Sequence, residues 1–404
     1  MATLASGINK SVAYKLESVY GTIPAAASAQ ALRRVTSTLD LTKDVYQSAE
    51  IRTDMQIADY RHGVRRVKGA INGELSPKTY SDFFAAAVKK TFAAGVSTAS
   101  ASITIAGTAP TYTVTRAAGS YLTDGFKVGD VIRLTVGAFN VSNINKNLMI
   151  TGLTALVATV IVLNGSAMVA EGPIATSTVS VYGKKTFIPT TGQTDQSFSI
   201  EHYYSDVVQS EVFSGCKVDK IAMSLPPTGM ATLAIDILGQ NETATQTQYF
   251  TSPTAASTLG NLAAVNGVCR VNGVVAAILT GLTAAIDPAY AGDPVVGSNT
   301  VPNLFPGTVN CSGQLSAYFL DNTLRDAFLN ETEIDLYAVL TTDNTATADF
   351  LAFGWPRIKL GGVAKSDGQA GLIQTIPFQA LLNKNGGAGI ATELTTVQIQ
   401  DSAA

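Results

Sequence analysis

Histidine occurs twice in 404 residues, tryptophan once and cysteine three times. Each scarcity removes a class of chemistry. His62 and His202 stand alone, with no second His or Cys at metal-ligand spacing. No G-x-S-x-G turn offers a nucleophile for a Ser–His–Asp arrangement. Cys216, Cys269 and Cys311 are odd in number and far apart. That spacing suits neither a disulfide framework nor a zinc knuckle, and it fits a reducing compartment. Cys216 has Lys217 beside it but no positioned base, so it reads as a small buried residue at a strand entry. Trp355 lies in an apolar run and reads as core.

Charge is sparse as well: 14% of residues are charged, with a net charge of −3, which excludes the basic surface of a nucleic-acid grip. Carboxylates are scattered, and none pairs with another as acid and base. Asp124 and Asp130 flank a turn but lack the regular oxygen ligands of a calcium loop. There is no P-loop and no G-x-G-x-x-G; Gly386-Gly387-Ala388-Gly389 reads as a flexible turn before a polar tail. No apolar run approaches the ~18–20 residues of a membrane span, so no membrane insertion is expected. The opening MATLASGINKSVAYKLE has no apolar segment of the signal-peptide kind. These absences predict a protein that is not an enzyme and needs no cofactor or metal.

What is abundant is Thr, Ser, Ala, Val and Gly, with 46% apolar residues. This composition predicts β-structure with many turns. The organising stretch is 67–92, VKGAINGELSPKTYSDFFAAAVKKTF. Val67, Gly69, Ile71, Gly73 and Leu75 alternate as a half-buried strand. Ser76-Pro77 reads as a helix start. Tyr80, Phe83, Phe84, Ala87, Val88 and Phe92 then form one apolar helical stripe, with Lys89 and Lys90 in the last turn. A weaker copy, VNCSGQLSAYFLDNTLRDAFL, runs over 309–329, with Leu324 and Phe328 in the stripe.

Around these copies the order of segments repeats. TSTLDLT (36–42) is a strand, and AAILTGLTAAI (276–286) resembles it. The hairpin 218–238 has a counterpart in FGWPRIKL (353–360) with LIQTIPFQAL (372–381). Residues 1–30 read as an irregular arm. Residues 43–66 read as a long polar loop, whose mixed charges suit a contact with another copy: Asp44, Glu50, Asp54 and Asp59 against Arg52, Arg61, Arg65 and Arg66. The proline-rich connection 287–306 stands at the matching place in the second half. Between 96 and 185 six short strands read as a small sandwich or barrel, plausible as an outward-projecting insertion.

LRRVTSTLDLTKDVYQSAEIRTDMQIADYRHGVRRVKGAINGELSPKTYSDFF (32–84) resembles the N-terminal region of major tail tube proteins of long-tailed bacteriophages, and FSGCKVDKIAMSLPPTGMATLAIDILG (213–239) resembles a hairpin of that family. The resemblance implies a mainly β fold with short helices: two tandem tail-tube-type β-sandwich domains, each with a flanking helix, plus an inserted small β-domain. The expected boundaries are 1–95 with 186–245, 96–185, and 246–404. It also implies rings stacked around a DNA channel, and a loop at 41–66 that reaches a neighbouring ring. A duplicated chain would make each ring from three subunits with pseudo-sixfold symmetry. Partners implied are the chain itself, tape measure protein, tail terminator and distal tail proteins. Double-stranded DNA would pass without specific binding, so an acidic or neutral lumen is expected. The implied location is the virion tail, assembled in the host cytoplasm. A baseplate or decoration protein, or a host-surface adhesin, is the alternative.

Overall fold

The computed structural model describes residues 4–276, 278–367 and 371–404. The protein is mainly β: one large antiparallel sheet system and one closed six-stranded barrel, with three short α-helices among the described residues. The large system holds the same arrangement twice. In the first half Tyr60–Glu74 pairs with Thr232–Gly239, which pairs with Gln209–Leu225, then Phe198–Tyr204, then Lys10–Leu16. In the second half Asn310–Tyr318 pairs with Ile373–Ala380, then Phe350–Leu360, Ile334–Thr341 and Gly267–Val271. Thr36–Ser37 and Asp40–Gln47 flank the first array, and Leu279–Asp287 flanks the second. The halves meet edge to edge, where Ile221 pairs with Ile286 and Leu225 with Leu282.

Period-two alternation sets which face is buried. Ile221, Met223 and Leu225 point into the core, as do Leu282, Ala284 and Ile286, while Lys220, Ala222, Ser224, Thr283 and Ala285 point away. Glycine marks the same place in both halves. A Cβ on Gly69 would lie 2.5 Å from the Thr38 carbonyl oxygen, and one on Gly313 would overlap that of Thr283. The flanking strand therefore crosses close over each glycine.

The first helix spans Ser81–Ala87, shorter than the stripe through Phe92 suggested. Ser76 does not cap it: its hydroxyl lies 2.6 Å from that of Thr79, Lys78 has φ 69°, and Tyr80 holds the N-cap position. Lys89, at φ 63°, lies past the end and is buried, so it is not a dipole partner. The stripe residues nonetheless do what apolar residues at that spacing do. Tyr80, Phe83, Phe84 and Val88 are fully buried in the main core. The matching helix of the second half, Thr323–Leu329, lies shallower, with Leu324 and Phe328 only half buried against the same core.

Two terminal expectations change. Residues 10–16 are a strand of the sheet, not part of an irregular arm: they pair with Phe198–Tyr204, and Val12, Ala13 and Tyr14 are buried. The polar tail also ends in a strand, Gln398–Asp401, paired on both edges with Phe350–Leu360 and Lys184–Phe187. Val397 and Ile399, buried completely, anchor it.

The barrel consists of Ala101–Thr108, Thr111–Arg116, Val131–Val136, Leu148–Leu153, Val157–Val162 and Glu171–Val181, the six strands expected. Its core is not private. Tyr337, Val339, Phe350 and Ala352 of the second half pack into it. The Gln400 side chain donates to the carbonyls of Val131 at 2.8 Å and Tyr182 at 2.7 Å, and Lys185 Nζ lies 3.4 Å from Glu393 Oε2. The barrel is thus held to the strands Ile334–Thr341 and Phe350–Leu360 and to the C-terminal residues by apolar packing and polar contacts together.

Candidate assembly surface

The exposed face of the joined sheet is built from the alternate residues of the paired strands. It carries Asp40, Glu74, Asp236 and Asp287 against Lys68 and Lys220, among Asn72, Ser224, Thr283, Ser312 and Gln314. A depression of about 730 Å³ lies over Asn72, Lys220, Ser224, Thr283 and Ser312, across the join between the halves. Asp219, at the strand's irregular turn, has its carboxyl pushed up first by burial, then by Asp287 and Asp236 nearby. By the same register Arg66 and Lys359 also lie on this face, near Asp44 and Glu331 respectively, so the face is polar and of mixed charge.

The segment 43–66 is not a loop throughout. Asp40–Gln47 and Tyr60–Glu74 form a long antiparallel hairpin, with a tip only over 48–59. Its base is fixed: Val64 packs with Tyr290, Val301 and Leu304, and the Arg65 amide donates to Asn299 O at 2.8 Å. The connection 287–306 therefore braces the arm. The charges are satisfied within the chain: Arg52 with Asp54 at 2.8 Å, Arg61 with Asp59 at 2.7 Å, and Arg66 with Asp44 at 3.7 Å. Arg65 reaches Asn241 Oδ1 at 3.4 Å, and Glu50 is exposed. Within the chain, opposite signs therefore pair along the hairpin. Such exposed pairs contribute little to stability.

The feature missed in the sequence is apolar. Ile51, Met55 and Ile57 at the tip are 99%, 95% and 67% exposed, and Tyr46 and Tyr60 below them are more than half exposed. Three aliphatic side chains within seven positions of a charged run were the available signal, since a purely solvated loop has no use for them.

Sites of chemistry among the described residues are structural. His202 Nε2 lies 2.7 Å from the Ser37 hydroxyl in the core, and burial, with Lys10 and Arg34 nearby, holds its pKa down to about 3. His62 is exposed on the arm against Tyr60. Burial pushes the thiols of Cys269 to about 11 and Cys311 to about 12, and drives that of Cys216 well up, so none is a ready nucleophile. Asp124 faces Arg116 and Asp130 faces Lys185, which leaves neither as half of a cation site. No group of three His, Cys, Asp or Glu is placed to hold a metal among the described residues. No helix is long and apolar enough to cross a membrane.

Joined sheets, strand edges and an exposed arm define the class, a mainly β protein. The chain belongs to the family of phage tail tube proteins, whose family model, described as "Phage tail tube protein", matches residues 7–380. No curated protein matches it. Membership makes it a structural protein of a phage tail that self-assembles there.

Proposed function

We propose that three chains form a closed ring with pseudo-sixfold symmetry, and that rings stack into a tube through which DNA is ejected into the host. The observation that carries this is the doubled strand order, with the two halves already joined edge to edge in one sheet. An arrangement that joins one half to the next within a chain can be continued between chains. Heterologous contacts of that kind close into rings when the rotation permits, and closure removes the exposed strand edges a free subunit carries.

The boundaries 1–95 with 186–245, 96–185, and 246–404 belong to this proposal, and the repeated pairings support them. In it the polar sheet face, of mixed charge, lines the channel, and DNA passes without specific binding. The hairpin arm reaches the next ring, and its contact is made by the exposed Ile51, Met55 and Ile57 as well as by the charged residues beneath them. Tape measure, terminator and distal tail proteins would meet the tube's interior and ends, and assembly would take place in the host cytoplasm.

Electron microscopy of the purified protein tests the reading. Threefold rings with sixfold-like outline, stacked into tubes, are the expected result. Rings of six full chains, or discrete unstacked particles, would overturn it.

A further inference from the structure

We infer that neighbouring chains are joined by a copy of the seam already present inside each chain, with 37–41 of one subunit paired to 363–367 of the next. This rests on the ring reading above and specifies its contact.

The correspondence comes from register alone. Ile71 is paired with Ser37 and Ile235, and Leu315 with Leu282 and Ile376. Ser37 therefore stands where Leu282 stands. Val67 faces Leu41 as Cys311 faces Ile286, so Leu41 stands for Ile286. Burial agrees: Ser37 and Leu39 are buried and Leu41 half buried, matching Leu282, Ala284 and Ile286. On the other side Ala222 pairs with Ala234, beside Ile235, and Ala364 pairs with Thr375, beside Ile376. Residues 363–366, Val-Ala-Lys-Ser, thus occupy the place of 221–224, Ile-Ala-Met-Ser.

In the first half, the outer edge of 221–225 is covered by 282–286. In the second half, 364–365 pairs among the described residues only with Gln374 and Thr375. Residues 36–37 and 40–47 likewise pair only with Tyr60–Glu74. One chain therefore carries both halves of the seam as open edges at opposite ends of its sheet. The partner that fits each is a second copy. Copying the internal register places Val363 opposite Leu41, Ala364 opposite Asp40, Ser366 opposite Thr38 and Asp367 opposite Ser37.

Charge sets the two seams apart. Inside the chain Leu225 faces Leu282. Between chains Asp367, exposed and without an ion pair among the described residues, would face Ser37. The carbonyl of Ser37 accepts from Lys10 Nζ at 2.8 Å, a lysine whose pKa is lowered first by burial and then by Arg34 nearby. Asp367 would thus meet a basic corner, a complementarity that the Leu225–Leu282 end of the internal seam does not have.

Cysteine pairs test the register. Ser224→Cys with Thr283→Cys should link within one chain, because directly opposed strand residues have Cα atoms within disulfide reach. Thr38→Cys with Ser366→Cys should give covalent dimers and trimers from oxidised rings on a non-reducing gel. Thr38→Cys with Ala364→Cys, displaced by two residues or ~7 Å along the strand, should not link. Threefold rings in micrographs without the Thr38–Ser366 link, or with only the displaced link, would overturn the seam and leave the ring reading standing. Absence of rings from the unsubstituted protein would overturn both.

Discussion

The ring of Phe84 spans the molecule's two halves. It projects from the first helix and lies 5.7 Å, centroid to centroid, from Phe353 in the second half. Phe353 in turn stacks on Trp355 at 6.3 Å. A Phe84→Ala change leaves a cavity in this shared core and should cost ~3–5 kcal/mol in urea unfolding. Phe84→Asp should abolish assembly altogether, since a carboxylate there has no partner; normal tubes from that variant would contradict the packing. His202 makes a separate demand. Its pKa is about 3 in the fold and ~6.5 in the unfolded chain. Between those values the unfolded state takes up a proton that the native state refuses. Stability is therefore complete above pH ~6.5 and falls as pH drops towards 3, by at most ~1.4 kcal/mol per pH unit from this residue. A His202→Gln variant should show a shallower loss between pH 7 and 5 in denaturant titrations, whereas an unchanged slope would rule the residue out as the cause.

At the scale of elements, the strand at 67–75 and the stripe from Tyr80 to Val88 were legible, because alternation and helical spacing are direct consequences of which face is buried. The helix ends were not. Lys78 and Lys89 adopt left-handed backbone, and nothing in either residue type announces it. The arm misled for a different reason. Its strands, Asp40–Gln47 and Tyr60–Glu74, are largely exposed towards the tip, so they carry no alternation, and local ion pairs resemble the charges of a solvated loop. Pairing by register, which reveals both the doubled sheet and its seam, depends on contacts far apart in sequence and leaves only the faint likeness of Ile-Ala-Met-Ser to Val-Ala-Lys-Ser. The arm's tip offers its own test. Changing Ile51, Met55 and Ile57 together to Ser touches no buried contact. Thermal unfolding should shift little while rings no longer elongate into tubes in micrographs. Tubes of normal length would deny the tip a part in stacking.

For the whole molecule, the sheet's two faces have opposite duties. One must be apolar enough to hold the helices and strands on a common core, and residues such as Ile71, Ile221, Ile235 and Ile286 meet that demand with complete burial, while the barrel packs separately on Tyr337, Val339, Phe350 and Ala352. The other must let a polyanion slide past. Each neutralised phosphate releases counterions, so even a few lysines per subunit, repeated around rings and along a tube, would add up to salt-dependent capture. The exposed positions Asp236, Thr283 and Gln314 lie on this second face. Substituting all three with Lys leaves the core untouched and adds four units of positive charge to each chain, three from the lysines and one from the lost aspartate. Tubes of the unsubstituted protein should not retain short duplex DNA in a sedimentation assay at low salt. Tubes of the triple variant should retain it at ~50 mM salt and release it as salt rises, as counterion release requires. If the variant's tubes bind no more DNA than the original, this face does not line the channel, and the lining would have to be sought on the barrel side of the subunit.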